Sequence, residues 1–186
     1  FFVHAELLGL APNLARKGIF LGLDLIVLLI VIMGGRVIPF FTMRALPGVV
    51  IKRWSLIEWL SPLSVIMFLL ADFFSADSLL SASLPALAAC ANGIRLAGWY
   101  THRYWRVPLL WVLHLGYAWI VAGFLLKVGA ALGVVPSQFT IHAFTVGGIG
   151  VLTLGMMARV ALGHTARPLS VGSAMVVGIE LVNLSA

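Results

Sequence analysis

The sequence predicts an all-α fold, a polytopic transmembrane helix bundle with about six spans, from three observations. Hydrophobic residues make up 62% of the chain and charged residues only 10%, where a soluble domain carries about 25% charged residues. The apolar residues are gathered into runs of about 20, the length needed to cross a hydrocarbon core roughly 30 Å thick, and mean hydropathy is +1.11. The basic residues fall mostly between these runs, where loops and helix ends are expected.

That last distribution decides what the net charge of +6 means. A nucleic-acid binder gathers its lysines and arginines into a patch, so no nucleic-acid partner is expected; the lipid bilayer is. The single cysteine, Cys90, excludes an intramolecular disulfide and a cysteine-based metal cage, and reads as a small buried hydrophobe. The chain starts at Phe1 without a basic leader or cleavage site, and Ala186 falls within an apolar run. It therefore reads as a single transmembrane domain over residues 1–186, part of a longer chain whose other helices would be its partners.

In order, residues 1–17 read as a short amphipathic piece or the end of a preceding helix. The first span, Gly18 to Ile38, has Gly18 and Gly22 at small-xxx-small spacing and Asp24 within it. Gly34 and Gly35 are expected to loosen its end and Pro39 to stop it. The second span, Ser55 to Phe74, places Glu58 near its start and Asp72 near its end. The third, Leu79 to Trp99, is rich in Ala and Ser and reaches Arg95 at its far end. The linker after it, WYTHRYWRVP, is aromatic and basic, as suits the headgroup level. The fourth span, Leu109 to Leu132, carries His114 and Tyr117 one turn apart. The fifth, Phe139 to Leu162, places Gly148, Leu152, Gly155 and Arg159 on one stripe for a close neighbour; His142, Thr145, Ile149, Thr153 and Met156 form another. The sixth begins near Ser170 and puts Glu180 close to the midplane.

The links after spans one, three and five, with their flanks, hold Arg36, Arg44, Lys52, Arg53, Arg95, Arg103, Arg106, Arg159 and Arg167, against Arg16, Lys17 and Lys127 opposite. The positive-inside rule puts the first set in the cytoplasm.

No soluble-enzyme motif is present: no phosphate-binding glycine loop, HExxH, CxxC or nucleophile elbow. Enzymatic activity is therefore neither assigned nor excluded. What remains are ionisable groups at membrane depth, which are costly and so are functional candidates. His114, His142 and His164 are the candidate metal ligands, since imidazole suits copper, iron and zinc. His114 and His142 sit at different depths, so they are not expected to share one metal. Asp24 and Glu180 are the intramembrane acids, with no basic residue expected at their depth; each can stand as a neutral hydrogen-bonded acid or take part in proton relay. Arg36, Arg159 and Arg167, near a common membrane face, are candidates to hold the acidic groups of a cofactor, and equally satisfy the orientation rule.

Two stretches carry a resemblance: GLDLIVLLIVIMGGRVIPFFT (residues 22–42) and HAFTVGGIGVLTLGMMARVALGHTARPL (residues 142–169). Both are similar to hallmark stretches of the NnrS family, multi-span proteins of the bacterial inner membrane linked to nitric oxide metabolism and nitrosative stress. The intervening spans match in order and length. The resemblance implies haem and copper as cofactors of the complete protein. It also implies about twelve spans in that protein, roughly twice the number counted here. The family's motif residues fall on Asp24, Arg36, Pro39, His142, Arg159, His164 and Arg167. A histidine-rich element of the family's amino-terminal half is absent here, so a complete metal site is not expected within these residues. Two rivals stand beside this reading: a proton-coupled transporter or permease component, motivated by Asp24, Glu180 and the glycine-rich spans, and a structural or assembly subunit.

Overall fold

A computed structural model describes residues 2–7, 9, 14–74, 78–165 and 171–186. Among them there are helices and turns and no strand. The helices are α1 (Phe2–Leu7), α2 (Leu14–Ala45), α3 (Ser55–Phe73), α4 (Ser78–Gly98), α5 (Pro108–Ala131), α6 (Ser137–His142), α7 (Val151–His164) and α8 (Ser173–Leu184). A 3₁₀ turn (His102–Arg106) links α4 to α5. A π-helical stretch (Ala143–Gly150) joins α6 to α7 in one continuous helix. Sequential neighbours pack on one another, α3 on α4, α4 on α5, and α5 on the π stretch and α7. Short links make these pairs antiparallel.

Among the described residues, four helices are long and apolar enough to cross a membrane: α2, α3, α5 and the continuous helix Ser137–His164. The expected third span is the 21-residue α4, whose serines and alanines dilute its hydropathy. The expected sixth is the 12-residue α8. A belt of apolar side chains points outward, with Leu56 and Trp59 about three-quarters exposed, as lipid-facing residues must be.

The first span differs most from its expected form. α2 continues through Pro39 to Ala45, with Pro39 buried inside it. Proline removes one ladder hydrogen bond, yet neighbouring elements tolerate it in membrane helices. Gly34 and Gly35 do not loosen a helix end; they are packing sites. A Cβ on Gly34 would meet the Tyr117 ring at 3.2 Å, and one on Gly35 would collide with the Arg95 guanidinium. Gly18 lies against Phe2 of α1, while Gly22 faces open space, so only one member of the expected small-residue pair makes a contact. Cys90 is exposed, contrary to the expected burial. On α4 the core is served by Ala88, Ala89, Ala91 and Asn92, which leaves position 90 turned outward.

The fifth span packs as its glycine stripe predicts, and α5 is the neighbour. Cβ atoms on Gly148 and Gly155 would collide with Ile120 and Val112. The interlock is mutual, since Gly116 receives Leu152 and Gly123 receives Phe144. The π stretch adds Gly147, which lies against Trp119. Thr145 contributes to that irregularity: its hydroxyl donates to the Ile141 carbonyl at 2.7 Å, competing with the backbone ladder.

Candidate functional site

An extensive polar assembly inside the bundle involves residues that the sequence does not mark as a binding site. Arg95, in the last turn of α4, is 5% exposed. Its Nε donates to Glu58 Oε2 at 3.1 Å, and one terminal nitrogen is also ion-paired with that oxygen. The other terminal nitrogen donates to the Val31 carbonyl of α2 at 2.8 Å and lies 3.4 Å from the Tyr117 hydroxyl. That hydroxyl donates to Asn92 Oδ1 at 2.6 Å. Four helices thus meet on one guanidinium, and Gly35 provides the space for it. The signal for this pairing was present: Glu58 begins one span and Arg95 ends the next, so antiparallel neighbours bring them to the same level. Reading Arg95 only as an orientation charge missed it.

His114 occupies the wall of a second assembly. It sits seven residues into α5 and is 4% exposed. Its Nδ1 lies 2.9 Å from the Leu110 carbonyl; a carbonyl only accepts, so Nδ1 carries the proton. Nε2 is buried and makes no hydrogen bond of ordinary geometry among the described residues; the Trp99 backbone lies close enough to the ring to accept from it. The Tyr104 ring stacks on the imidazole, centroids 4.2 Å apart and planes 10° apart. Burial, with Tyr100 nearby, pushes the Tyr104 phenol above its ordinary range and keeps it neutral. Beside His114 lies a cavity of about 550 Å³, walled by Tyr100, Tyr104, Trp105, Trp111 and small residues of α4. A carbonyl that fixes Nδ1–H is a contact also found behind metal-ligating histidines.

The other histidines stand elsewhere. His142 is exposed, and its Nε2 donates to the Ser185 carbonyl at 2.7 Å, tying the end of α6 to the end of α8. His164 is exposed in the last turn of α7. Among the described residues no three His, Cys, Asp or Glu side chains converge on one point.

Arg36 is exposed and lines a cavity of about 540 Å³ between α2 and α3 with Arg53, Glu58 and Arg95. Arg159 lies in a different cavity of about 460 Å³ with Phe40, Phe41, Arg44 and His164. The expected cluster of arginines is therefore divided, and neither residue shares a cavity with His114. Arg167 lies outside the described residues.

Asp24 is 7% exposed and borders two cavities, of about 310 and 250 Å³, in company with Arg16 and Asp72. Lys127 lines the second and pairs with Asp72 at 2.7 Å. The expectation that no basic residue shares the depth of Asp24 is thus corrected, because α5 delivers Lys127 from the opposite direction. The buried Thr140 hydroxyl lines the same cavity without a partner among the described residues. Glu180 is exposed on α8 and forms no ion pair among the described residues.

An irregular bundle with long apolar helices, a lipid-facing belt and polar groups gathered at internal cavities defines a multi-pass helical membrane protein. No curated protein and no solved structure matches the chain. The family pattern described as NnrS protein matches residues 1–186, and the chain belongs to the NnrS family.

Proposed function

We propose that this NnrS-family protein acts in bacterial nitric oxide metabolism and the response to nitrosative stress, from the inner membrane, and that His114 is a haem ligand in the complete protein. The observation that carries this reading is the buried His114, its Nδ1 held by the Leu110 carbonyl, in the wall of an aromatic cavity. The cavity volume lies in the range of roughly 300–1,000 Å³ typical of ligand pockets. Bound there through His114, a haem would supply an iron able to take up a diatomic gas. The chain's own residues then divide the work. The Leu110 carbonyl orients the imidazole, and Tyr104, Trp105 and Trp111 give the pocket its aromatic wall. Copper, the other metal implied by the family, has no converging ligand set among the described residues, and no step is assigned to it.

The test is the absorption spectrum of the full-length protein purified with its metals. His114→Ala is expected to abolish or shift the haem Soret band and to lower survival under a nitric oxide donor. His142→Ala is expected to leave the haem spectrum unchanged, since its Nε2 is engaged by Ser185. Native haem content and spectrum in His114→Ala would refute the assignment.

A second reading is favoured by one specific arrangement, the buried Asp24 beside the Asp72–Lys127 pair. It supports a proton-coupled transporter, in which Asp24 exchanges a proton through the adjoining cavities. Proton-driven uptake in vesicles that is lost in Asp24→Asn, in a protein free of haem, would select this reading.

A further inference from the structure

The described residues include two deeply buried arginines with opposite surroundings. Arg95 has Glu58, a backbone carbonyl and a tyrosine hydroxyl. Arg159 is equally buried, 5% exposed, and has no hydrogen bond or ion pair among the described residues; its guanidinium lies 4.0 Å from the Phe41 ring centroid. The ring covers one face and leaves the N–H edge of the fork unused. A buried cation without an anion is costly, and among the described residues no acid pairs with it or lines its cavity. Of the chain's six acids, Glu58 serves Arg53 and Arg95, Asp72 serves Lys127, and Glu6 accepts from the Ala15 backbone. Asp24 belongs to cavities lined by the first half of α2, Glu180 forms no ion pair, and Asp77 lies outside the described residues. The cavity around Arg159 instead adds two more groups that can donate to an anion, Arg44 and His164.

We infer that this cavity, where α2 and α7 both end, binds a phosphate group, and specifically the headgroup of an anionic phospholipid. The guanidinium fork matches phosphate oxygens, and basic pockets between membrane helices at headgroup level take anionic lipids. The remaining wall is apolar, with Phe40 and Val160 about half exposed toward the bilayer, which suits the acyl chains of the same molecule. Haem is not required for this site.

The experiment compares the full chain in detergent with added phosphatidylglycerol, phosphatidylcholine or inorganic phosphate, read by native mass spectrometry and thermal stability. The wild type is expected to retain phosphatidylglycerol in preference to phosphatidylcholine. Arg159→Gln is expected to bind it about tenfold or more weakly, and Arg159→Lys is expected to fall between them because it keeps the charge without the fork. Arg44→Gln, at an exposed position, should weaken binding with helix content unchanged by circular dichroism; it decides the matter if Arg159→Gln does not fold. Stabilisation by inorganic phosphate alone, lost in Arg159→Gln or Arg44→Gln, would support phosphate binding and assign it to the free ion. Equal retention of both lipids with no phosphate effect would overturn the inference, as would undiminished phosphatidylglycerol binding in both glutamine variants.

Discussion

At the scale of single residues, a polar side chain in this bundle matters according to what surrounds it. Glu58 and Arg95 illustrate the rule. In Glu58→Gln, Arg95 would keep its backbone and Tyr117 contacts but lose its counter-charge. Breaking a buried pair from one side costs about 3–5 kcal/mol; because Glu58 is 18% exposed, the lower end of that range is expected. Unfolding of the purified variant in mixed micelles checks it. The double replacement by methionines should recover most of the loss, since it removes the buried charge together with its partner. Asp24 and His114 were picked out by sequence because they are ionisable within apolar runs. Arg95 has the same property, and pairing it with Glu58 required knowing which spans lie side by side.

At the scale of elements, glycine placement sets how closely helices approach. Gly155 sits where its added Cβ would come within 2.7 Å of Val112, so Gly155→Leu is expected to destabilise the α5–α7 contact by about 1–3 kcal/mol. Gly22 serves as the contrast. Nothing lies within 4 Å of its Cβ position, and Gly22→Ala should be neutral or stabilising by roughly 0.5–1 kcal/mol from helix propensity alone. Melting curves of both variants in one detergent measure the difference. The fifth span's stripe was legible from spacing because α5 runs straight beside it. Gly148 was legible with it although it lies in the π stretch Ala143–Gly150, but the contact of Gly147 with α5 was not, since the π geometry departs from a 3.6-residue period.

At the scale of the whole molecule, the alternating direction of the helices gathers the links into two sets. The α2–α3 link, the 3₁₀ turn and the end of α7 share one end of the bundle. The turn between α5 and α6 lies at the other. With Cys90 replaced by serine, Gly163→Cys and His102→Cys are expected to react with an impermeant thiol label from the cytoplasmic side, and Val134→Cys from the opposite side. Labelling of Gly163→Cys and Val134→Cys from the same side would contradict this arrangement. Strong labelling of Gly163→Cys in intact cells would reverse the orientation expected from the basic residues.

Composition and apolar run length alone determined that the chain is a helical membrane protein, because a bilayer leaves the backbone few ways to satisfy its hydrogen bonds. They also placed α3, α4 and α5 to within about one residue, since span length is set by membrane thickness. The two hallmark stretches pointed to the family. Tertiary structure decided everything that depends on who stands beside whom. It carried α2 through Pro39, because the surrounding packing outweighs one lost hydrogen bond. It turned Cys90 outward, brought Lys127 to the cavity of Asp24 and paired Arg95 with Glu58. It also left Arg159 buried without a carboxylate among the described residues. Charge on a side chain is readable from its letter, but its cost and use follow from the groups within a few ångströms, and those come from other helices.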